Sequence, residues 1–151
     1  MSTELQANQK SLYEADFVRW IETTVEQLRT QNYTCVDWTN LIEEIEDMSR
    51  RERKSLKSNL VVILLHLLKW QYQAECRSGS WRGSIREHRR RVNDDLKDSP
   101  SLVTYLQEVF AECYANACKQ AADETGLPLE TFSLNCPYTP EQLLNSEYLP
   151  D

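Results

Sequence analysis

The sequence predicts an all-α fold, a single-domain bundle of about five helices with a short helical extension at the C-terminus. Capping signals followed by apolar residues at helical spacing recur along the whole chain. No segment alternates as a strand does, and three glycines and five prolines are too few for a turn-rich β protein. The expected domain covers residues 1–151, with residues 1–11 as a flexible N-terminus and residues 127–151 as an extension packed on the bundle.

The first predicted helix covers about residues 12–31. Ser11 and Glu14 match a capping box, in which two side chains satisfy free backbone amides at a helix start. The apolar face that follows consists of Phe17, Trp20, Ile21, Thr24, Val25 and Leu28. We expect this helix to end near Asn32.

A second helix is predicted after a cap at Asp37 or Asn40. Its apolar stripe consists of Trp38, Leu41, Ile42, Ile45 and Met48. Ser49 with Glu52 repeats the capping-box pattern, so a third helix is expected to begin at that serine. One continuous but kinked helix is the alternative.

The third helix is expected to run to about Cys76, with Gly79 in the left-handed position that closes a helix. A fourth helix is predicted over about residues 85–97, because Ser84 and Glu87 again match a capping box.

A fifth helix is predicted from Pro100 to Thr125, since proline is favoured at a first helical position and Gly126 stops the pattern. The tail then offers Thr139 as a cap for a short helix that ends near Asn145.

The third predicted helix is apolar over about three-quarters of its circumference, as expected of a central helix that several neighbours bury. Its polar side chains form one narrow stripe, made of Ser55, Asn59, His66, Lys69, Gln73 and Arg77. The stripe has three interpretations: a face exposed to solvent, an internal polar seam satisfied by carboxylates of the second helix, or a ligand site. In a site, His66 titrates near neutral pH or binds a metal, and Lys69 or Arg77 holds an anion.

The segment DWTNLIEEIED holds five acidic residues and no basic residue. Carboxylates and histidines on facing helices bind divalent metals in helical bundles, which makes Glu44 and Asp47 the candidates to join His66. The usual Glu-x-x-His signature is absent, and a solvated acidic face is the simpler interpretation. No cofactor is evident apart from this divalent metal.

The segment RSGSWRGSIREHRRR holds six arginines and one glutamate from Arg77 to Arg91. Such arginines can track a phosphate backbone, and Trp81 among them can stack on a base. The net charge of −7 favours a simpler interpretation, pairing with the acidic segment within the chain or between protomers. Arg82 and His88 also match the Arg-x₄₋₆-His pattern of HEPN-type ribonucleases, but a helix start at Ser84 separates them.

Composition places the chain among globular proteins, with 40% hydrophobic and 27% charged residues. The five cysteines are odd in number and form no CxxC pair, so free thiols in a reducing cytoplasm are expected. The N-terminus lacks the apolar stretch of a signal peptide. The longest apolar run is far shorter than the about 20 residues of a membrane span, so we expect a cytoplasmic protein with no membrane contact.

Seven blocks of the sequence resemble one known family. They occur in the family's order, cover about residues 13–149, and read YEADFVRWI, NLIEEIEDMSRRER, HLLKWQYQ, RSGSW, DSPSL, ETGLP and CPYTPEQLL. The chain thereby resembles domain-of-unknown-function family 29, small bacterial proteins numerous in photosynthetic bacteria. The resemblance implies an all-helical fold and implies no activity.

The predicted function is that of an interaction module that acts through the region His66–Arg91. A protein partner or a second copy is the expected partner, and nucleic acid at Arg77–Arg91 is the other candidate. The predicted contact surface consists of His66, Lys69, Gln73, Arg77, Trp81, Arg82, Arg86 and Arg90. The alternative function is a metal-assisted nuclease or hydrolase. Its candidate catalytic residues are His66, Lys69 and Glu44, and its candidate metal ligands are His66, Glu44 and Asp47.

Overall fold

The computed structural model describes residues 12–151, and these residues contain helices and no strand. The all-α prediction is confirmed for this part of the chain. The principal helices are α1 (Phe17–Arg29), α2 (Trp38–Tyr72), α3 (Gly79–Asp98), α4 (Leu102–Thr125) and α5 (Pro140–Leu144). Single 3-10 turns lie at Tyr33–Cys35, Ala74–Cys76 and Leu129–Thr131. No helix within residues 12–151 is long and apolar enough to cross a membrane.

The chain divides into two compact units within α2. The first unit ends at Arg50, and the second runs from Arg51 to Asp151. Each unit has buried side chains of its own, and a single domain stays a prediction.

Helix α2 is continuous over 35 residues, so the predicted second and third helices are one. The predicted helix start at Ser49 and Glu52 is wrong, because the backbone there is helical and a cap residue must lie outside the helix. Arg50 pairs with Glu46 and Asp47 across the expected break. Ion pairs at this spacing stabilise a helix, which favours continuation over a new start.

The segment after α2 also differs from the prediction. Helix α2 ends at Tyr72 rather than near Cys76, and Gly79 is the first residue of α3 rather than a left-handed residue that closes α2. The side chain of Ser78 caps α3 by accepting from the Trp81 amide at 3.2 Å. Helix α3 therefore includes a further turn and a half before the predicted start.

The predicted cap of the fourth helix, Ser84 with Glu87, lies inside α3. The Glu87 carboxylate accepts hydrogen bonds from the guanidinium groups of Arg90 and Arg91. These bonds lower the pKa of Glu87 to about 2. A sequence that matches a capping box thus serves here as a charged helix surface.

Helix α1 begins at Phe17, where the Asp16 side chain accepts from a backbone amide of the first turn. Residues 12–15 form a separate helical turn before it. The predicted cap Ser11 lies outside the described residues, as does the predicted flexible N-terminus.

Two predicted helix ends are confirmed. Gly126 closes α4 in the left-handed conformation, with φ of 73°, and its amide donates to the Ala122 carbonyl. Thr139 caps α5 in a capping box with Gln142, and Pro140 is the first residue of that helix. Both ends depend on chemistry that is complete within five residues of sequence.

The first unit contains a hairpin of α1 and the start of α2, joined by residues 30–37. Trp20 and Thr24 are its buried side chains on α1. The Tyr13 hydroxyl donates to the Glu44 carboxylate, so the segment before α1 lies beside the second turn of α2 and the two helices run in opposite directions. This hydrogen bond raises the pKa of Tyr13 to about 12, because ionisation would place two negative charges side by side.

The second unit has a core formed by the second half of α2, by α3 and α4, and by the segment after α4. Its deepest side chains are Leu56, Leu60, Ile63, Leu64, Leu67, Leu68, Ile85, Val92, Cys113 and Leu143. The C-terminal segment contributes Phe132 and Tyr138 to this core, and the Tyr138 hydroxyl donates to Gln71 at 2.6 Å. Arg89 of α3 donates its Nε to the Leu143 carbonyl at 2.7 Å. The C-terminal segment is therefore tied to α2 and α3 by hydrogen bonds as well as by apolar contact.

Candidate functional site

The polar stripe of α2 is partly buried and lies against the end of α4. Lys69 Nζ is 3.7 Å from Glu124 Oε1, and the side chain of Lys69 is only 13% exposed. Gln73 Nε2 donates to the Thr125 carbonyl at 3.4 Å. The stripe is therefore in part an internal polar seam. Lys69 and Gln73 have their partners on α4, rather than among the carboxylates of the predicted second helix, which was one of the three interpretations.

His66 is half-buried within this seam. Its Nδ1 donates to the Val62 carbonyl at 2.8 Å, which leaves Nε2 as the acceptor of the neutral ring. Burial is the main cause that lowers the pKa of His66. The hydrogen bond to the Val62 carbonyl opposes this by raising the pKa, and the nearby charges of Lys69, which lowers it, and Glu124, which raises it, have smaller effects. The ring is thus uncharged at neutral pH.

Trp81 covers the ammonium group of Lys69. Lys69 Nζ lies 4.7 Å from the centre of the Trp81 ring, a distance at which a cation is attracted to an aromatic face. Lys69 therefore has two partners, this ring and Glu124. Both Lys69 and Trp81 are engaged within the fold, which makes them weaker candidates for a free ligand contact than the sequence indicates.

A second cluster surrounds Trp70, whose residue surface is 7% exposed. The guanidinium carbons of Arg77 and Arg82 lie 5.0 and 5.4 Å from the centre of the Trp70 ring. Arg77 is held further by its Nε, which donates to the Trp70 carbonyl at 2.8 Å. These three side chains, with Ser78 and Gly79, line a pocket of about 430 Å³.

The other arginines of the basic segment have separate roles. Arg89 is buried and bonds to carbonyls of the C-terminal segment. Arg90 and Arg91 pair with Glu87 of their own helix, whereas Arg86 is exposed. Arg90 and Arg91 thus find acidic partners within α3, and the run of arginines is not one continuous basic track.

Glu44 and Asp47 precede His66 in α2 by 22 and 19 residues, and they belong to the first unit whereas His66 belongs to the second. Asp47 pairs with Arg50 and Glu44 accepts from Tyr13. No group of three or more His, Cys, Asp or Glu side chains within residues 12–151 is placed to hold a metal ion. The site of His66 with these carboxylates stays a prediction, which these contacts do not support.

Arg82 and His88 stand on one helix, because α3 begins at Gly79. Side chains six residues apart point about 120° away from each other. His88 Nδ1 donates to the Ser84 carbonyl at 2.7 Å, while Arg82 lies over Trp70. The two side chains share a helix but not a site.

Residues 12–149 match the model of a family described as Domain of unknown function DUF29. The chain belongs to the DUF29 family. The resemblance of the seven sequence blocks is thereby confirmed, and the family description assigns no activity to this DUF29 chain. Searches of curated proteins and of solved structures found no match.

Sequence reasoning missed one feature of this DUF29 chain, a groove of about 720 Å³ between α4 and the segment after it. Its lining is mostly apolar and includes Phe110, Tyr114, Cys118, Phe132, Leu134 and Cys136. Burial raises the pKa of Cys136 to about 11, so its thiol stays protonated at neutral pH and is a poor nucleophile. The repeat of Phe110, Tyr114 and Cys118 marks one wall. The facing wall comes from residues 129–136, which no local signal connects to α4.

Proposed function

We propose that this chain is a binding module that takes a phosphate-bearing ligand into the pocket of Trp70, Arg77 and Arg82. One observation carries the proposal: two guanidinium groups, one before α3 and one within it, lie over a single tryptophan ring at 5.0 and 5.4 Å. Stacking on an aromatic face orients a guanidinium group and leaves N–H donors at its edge for a ligand.

The charge around this pocket supports an anionic ligand. Within residues 12–151, neither Arg77 nor Arg82 forms an ion pair, and no acidic side chain lines the pocket. By contrast, Arg90, which is on the same helix as Arg82, has two carboxylate partners. Two neighbouring cations without an acidic partner repel each other, and a phosphate group relieves this by accepting paired hydrogen bonds from both.

A compact anion fits these residues better than a nucleic-acid strand. A strand needs a continuous basic surface, and here Arg89 is buried while Arg90 and Arg91 are neutralised within α3. Trp81, the side chain expected to stack on a base, is covered by Lys69. The net charge of −7 also opposes general attraction to nucleic acid.

Titration calorimetry with inorganic pyrophosphate tests the proposal. We expect Arg82→Gln to weaken binding by about tenfold or more, because hydrogen bonds between charged groups contribute roughly 1.5–3 kcal/mol. Arg90→Gln is the matched control, since it removes the same charge from an exposed position of the same helix. We expect this control to change the affinity by less than about twofold.

The outcomes separate specific binding from general attraction. Equal losses in Arg82→Gln and Arg90→Gln, or no binding of pyrophosphate to the wild type, contradict the pocket. A single-stranded oligonucleotide that binds far more tightly than pyrophosphate, with a steep salt dependence, favours a nucleic-acid strand instead.

A further inference from the structure

The first unit has a large apolar surface that none of its described side chains covers. Helix α1 exposes Phe17, Val18, Ile21 and Val25, and the start of α2 exposes Trp38, Ile42, Ile45 and Met48. Each of these eight residues is between 38% and 64% exposed. Large apolar side chains exposed singly are normal, whereas eight on two adjacent helices are not. We call this surface the hairpin face.

Helical geometry brings the two sets to the same side of the hairpin. Viewed down the axis of α1, the exposed stripe is rotated by about 90° from the buried side chains of Trp20 and Thr24, in the direction in which residue number increases. Viewed down the axis of α2, the exposed stripe is rotated by about 90° in the same direction from the half-buried side chains of Leu41 and Glu44. Because the helices are antiparallel, equal rotations away from their contact bring both stripes to one side. The hairpin face is therefore continuous.

The size of the hairpin face fits a protein interface. Its eight residues expose roughly 800 Å², which is about the area that each partner contributes to a stable protein complex. The largest apolar patch of an ordinary monomer is smaller, at roughly 300–600 Å². At about 25 cal/mol per Å², burial of such an area is a strong driving force for association.

The symmetry of the hairpin face suits a second copy of the same chain. Helix periodicity places Glu22 and Arg29 beside the stripe of α1, and Glu46 and Arg50 beside the stripe of α2. Arg50 pairs with both Glu46 and Asp47, so this edge keeps a net negative charge, which salt screens. The apolar centres of two identical faces match by symmetry, and the burial of their apolar area opposes the repulsion between the acidic edges.

We propose that the hairpin face is a dimer interface, in which two copies pack hairpin against hairpin around a two-fold axis. Each copy contributes α1 and the first part of α2, and together they form a four-helix arrangement with an apolar centre. This interface uses residues of the first unit, among them the apolar side chains of the acidic segment, whereas the Trp70 pocket is formed by residues of the second unit.

Sedimentation velocity of the full chain tests the interface. At about 50 µM, we expect a species of twice the 17.7 kDa of one chain. Ile42→Glu places a charge in the centre of the hairpin face, and we expect it to weaken dimerisation by at least about a hundredfold. Val103→Glu is the matched control, because Val103 is a similarly exposed apolar residue of α4, in the second unit. We expect this control to remain dimeric.

A second variant and a change of salt keep the result decisive. Ile45→Ala with Met48→Ala reduces the apolar area with a residue that favours helix, and we expect weaker dimerisation with unchanged helicity. The dimer should persist at about 0.5 M salt, which screens exposed charges. Three outcomes overturn the proposal. The wild type is monomeric at about 50 µM, or Ile42→Glu and Val103→Glu weaken the dimer equally, or the dimer dissociates at high salt.

Discussion

Three apolar positions of the first half of α2 recur in its second half, and they have opposite environments there. Trp38, Ile42 and Ile45 are each followed, 18 residues or five turns later, by Leu56, Leu60 and Ile63. The three earlier residues are about half exposed, whereas the three later ones are fully buried. An amphipathic pattern thus shows which face of a helix is apolar. What covers that face depends on other parts of the chain, or on another chain.

The largest expected effect comes from equivalent positions in the two halves. Leu60→Ala should lower the free energy of unfolding by about 2–5 kcal/mol, because it leaves a cavity in a closed core. Ile42→Ala should change it by less than about 0.5 kcal/mol when the protein is dilute enough to be monomeric. Urea unfolding followed by circular dichroism measures both. Equal losses would show that the hairpin face is already covered within one chain.

The arginines of α3 allow the same comparison for charged side chains. Arg89→Met removes a buried guanidinium group that donates to two carbonyls of the C-terminal segment. It should cost roughly 2 kcal/mol of unfolding free energy, because those carbonyls lose their donors. Arg90→Met removes exposed pairs only, and its urea midpoint should stay close to that of the wild type. A larger loss for Arg90→Met would contradict the structural role of Arg89.

The smallest expected effect is the pH dependence due to His66, in the second half of α2. Burial lowers its pKa in the folded chain below the unfolded value of about 6.5. The unfolded chain therefore binds more protons in this range, so stability rises with pH. His66 contributes its full stability above about pH 6.5, and this contribution is lost as the pH falls through the folded pKa.

His66→Gln is the variant that measures this contribution. The gain in unfolding free energy between about pH 5 and pH 7 should be smaller in His66→Gln than in the wild type. An equal gain in unfolding free energy in the two proteins would show that the protonation of His66 does not affect the stability of the fold.

The helix ends show how far local sequence reaches. Gly126 and Thr139 are predicted correctly, because a left-handed glycine and a capping threonine act on backbone groups a few residues away. Ser49 and Ser84 match the same kind of pattern and lie inside helices. At these two positions, ion pairs one turn apart and a continuing apolar face favour an unbroken helix.

The candidate site was predicted in part. The polar stripe with His66 and Lys69 is visible from helical periodicity alone, because both belong to one helix, whereas Gln73 lies just past its end at Tyr72. Their partners at Glu124 and Thr125 follow more than 50 residues later in the sequence. No local pattern connects them, so only the packing of α4 against α2 identifies the pairs.

The sequence by itself determined the all-helical class, the apolar face of each principal helix and the ends that depend on caps, because these follow from backbone chemistry and periodicity over short distances. The tertiary structure alone decided which cations are satisfied. It brings Arg77 and Arg82 to Trp70 and brings Lys69 to Trp81. It also leaves Trp38, Ile42 and Ile45 exposed while the equivalent Leu56, Leu60 and Ile63 in the second half of α2 are buried. The physical reason is that burial depends on segments distant in sequence.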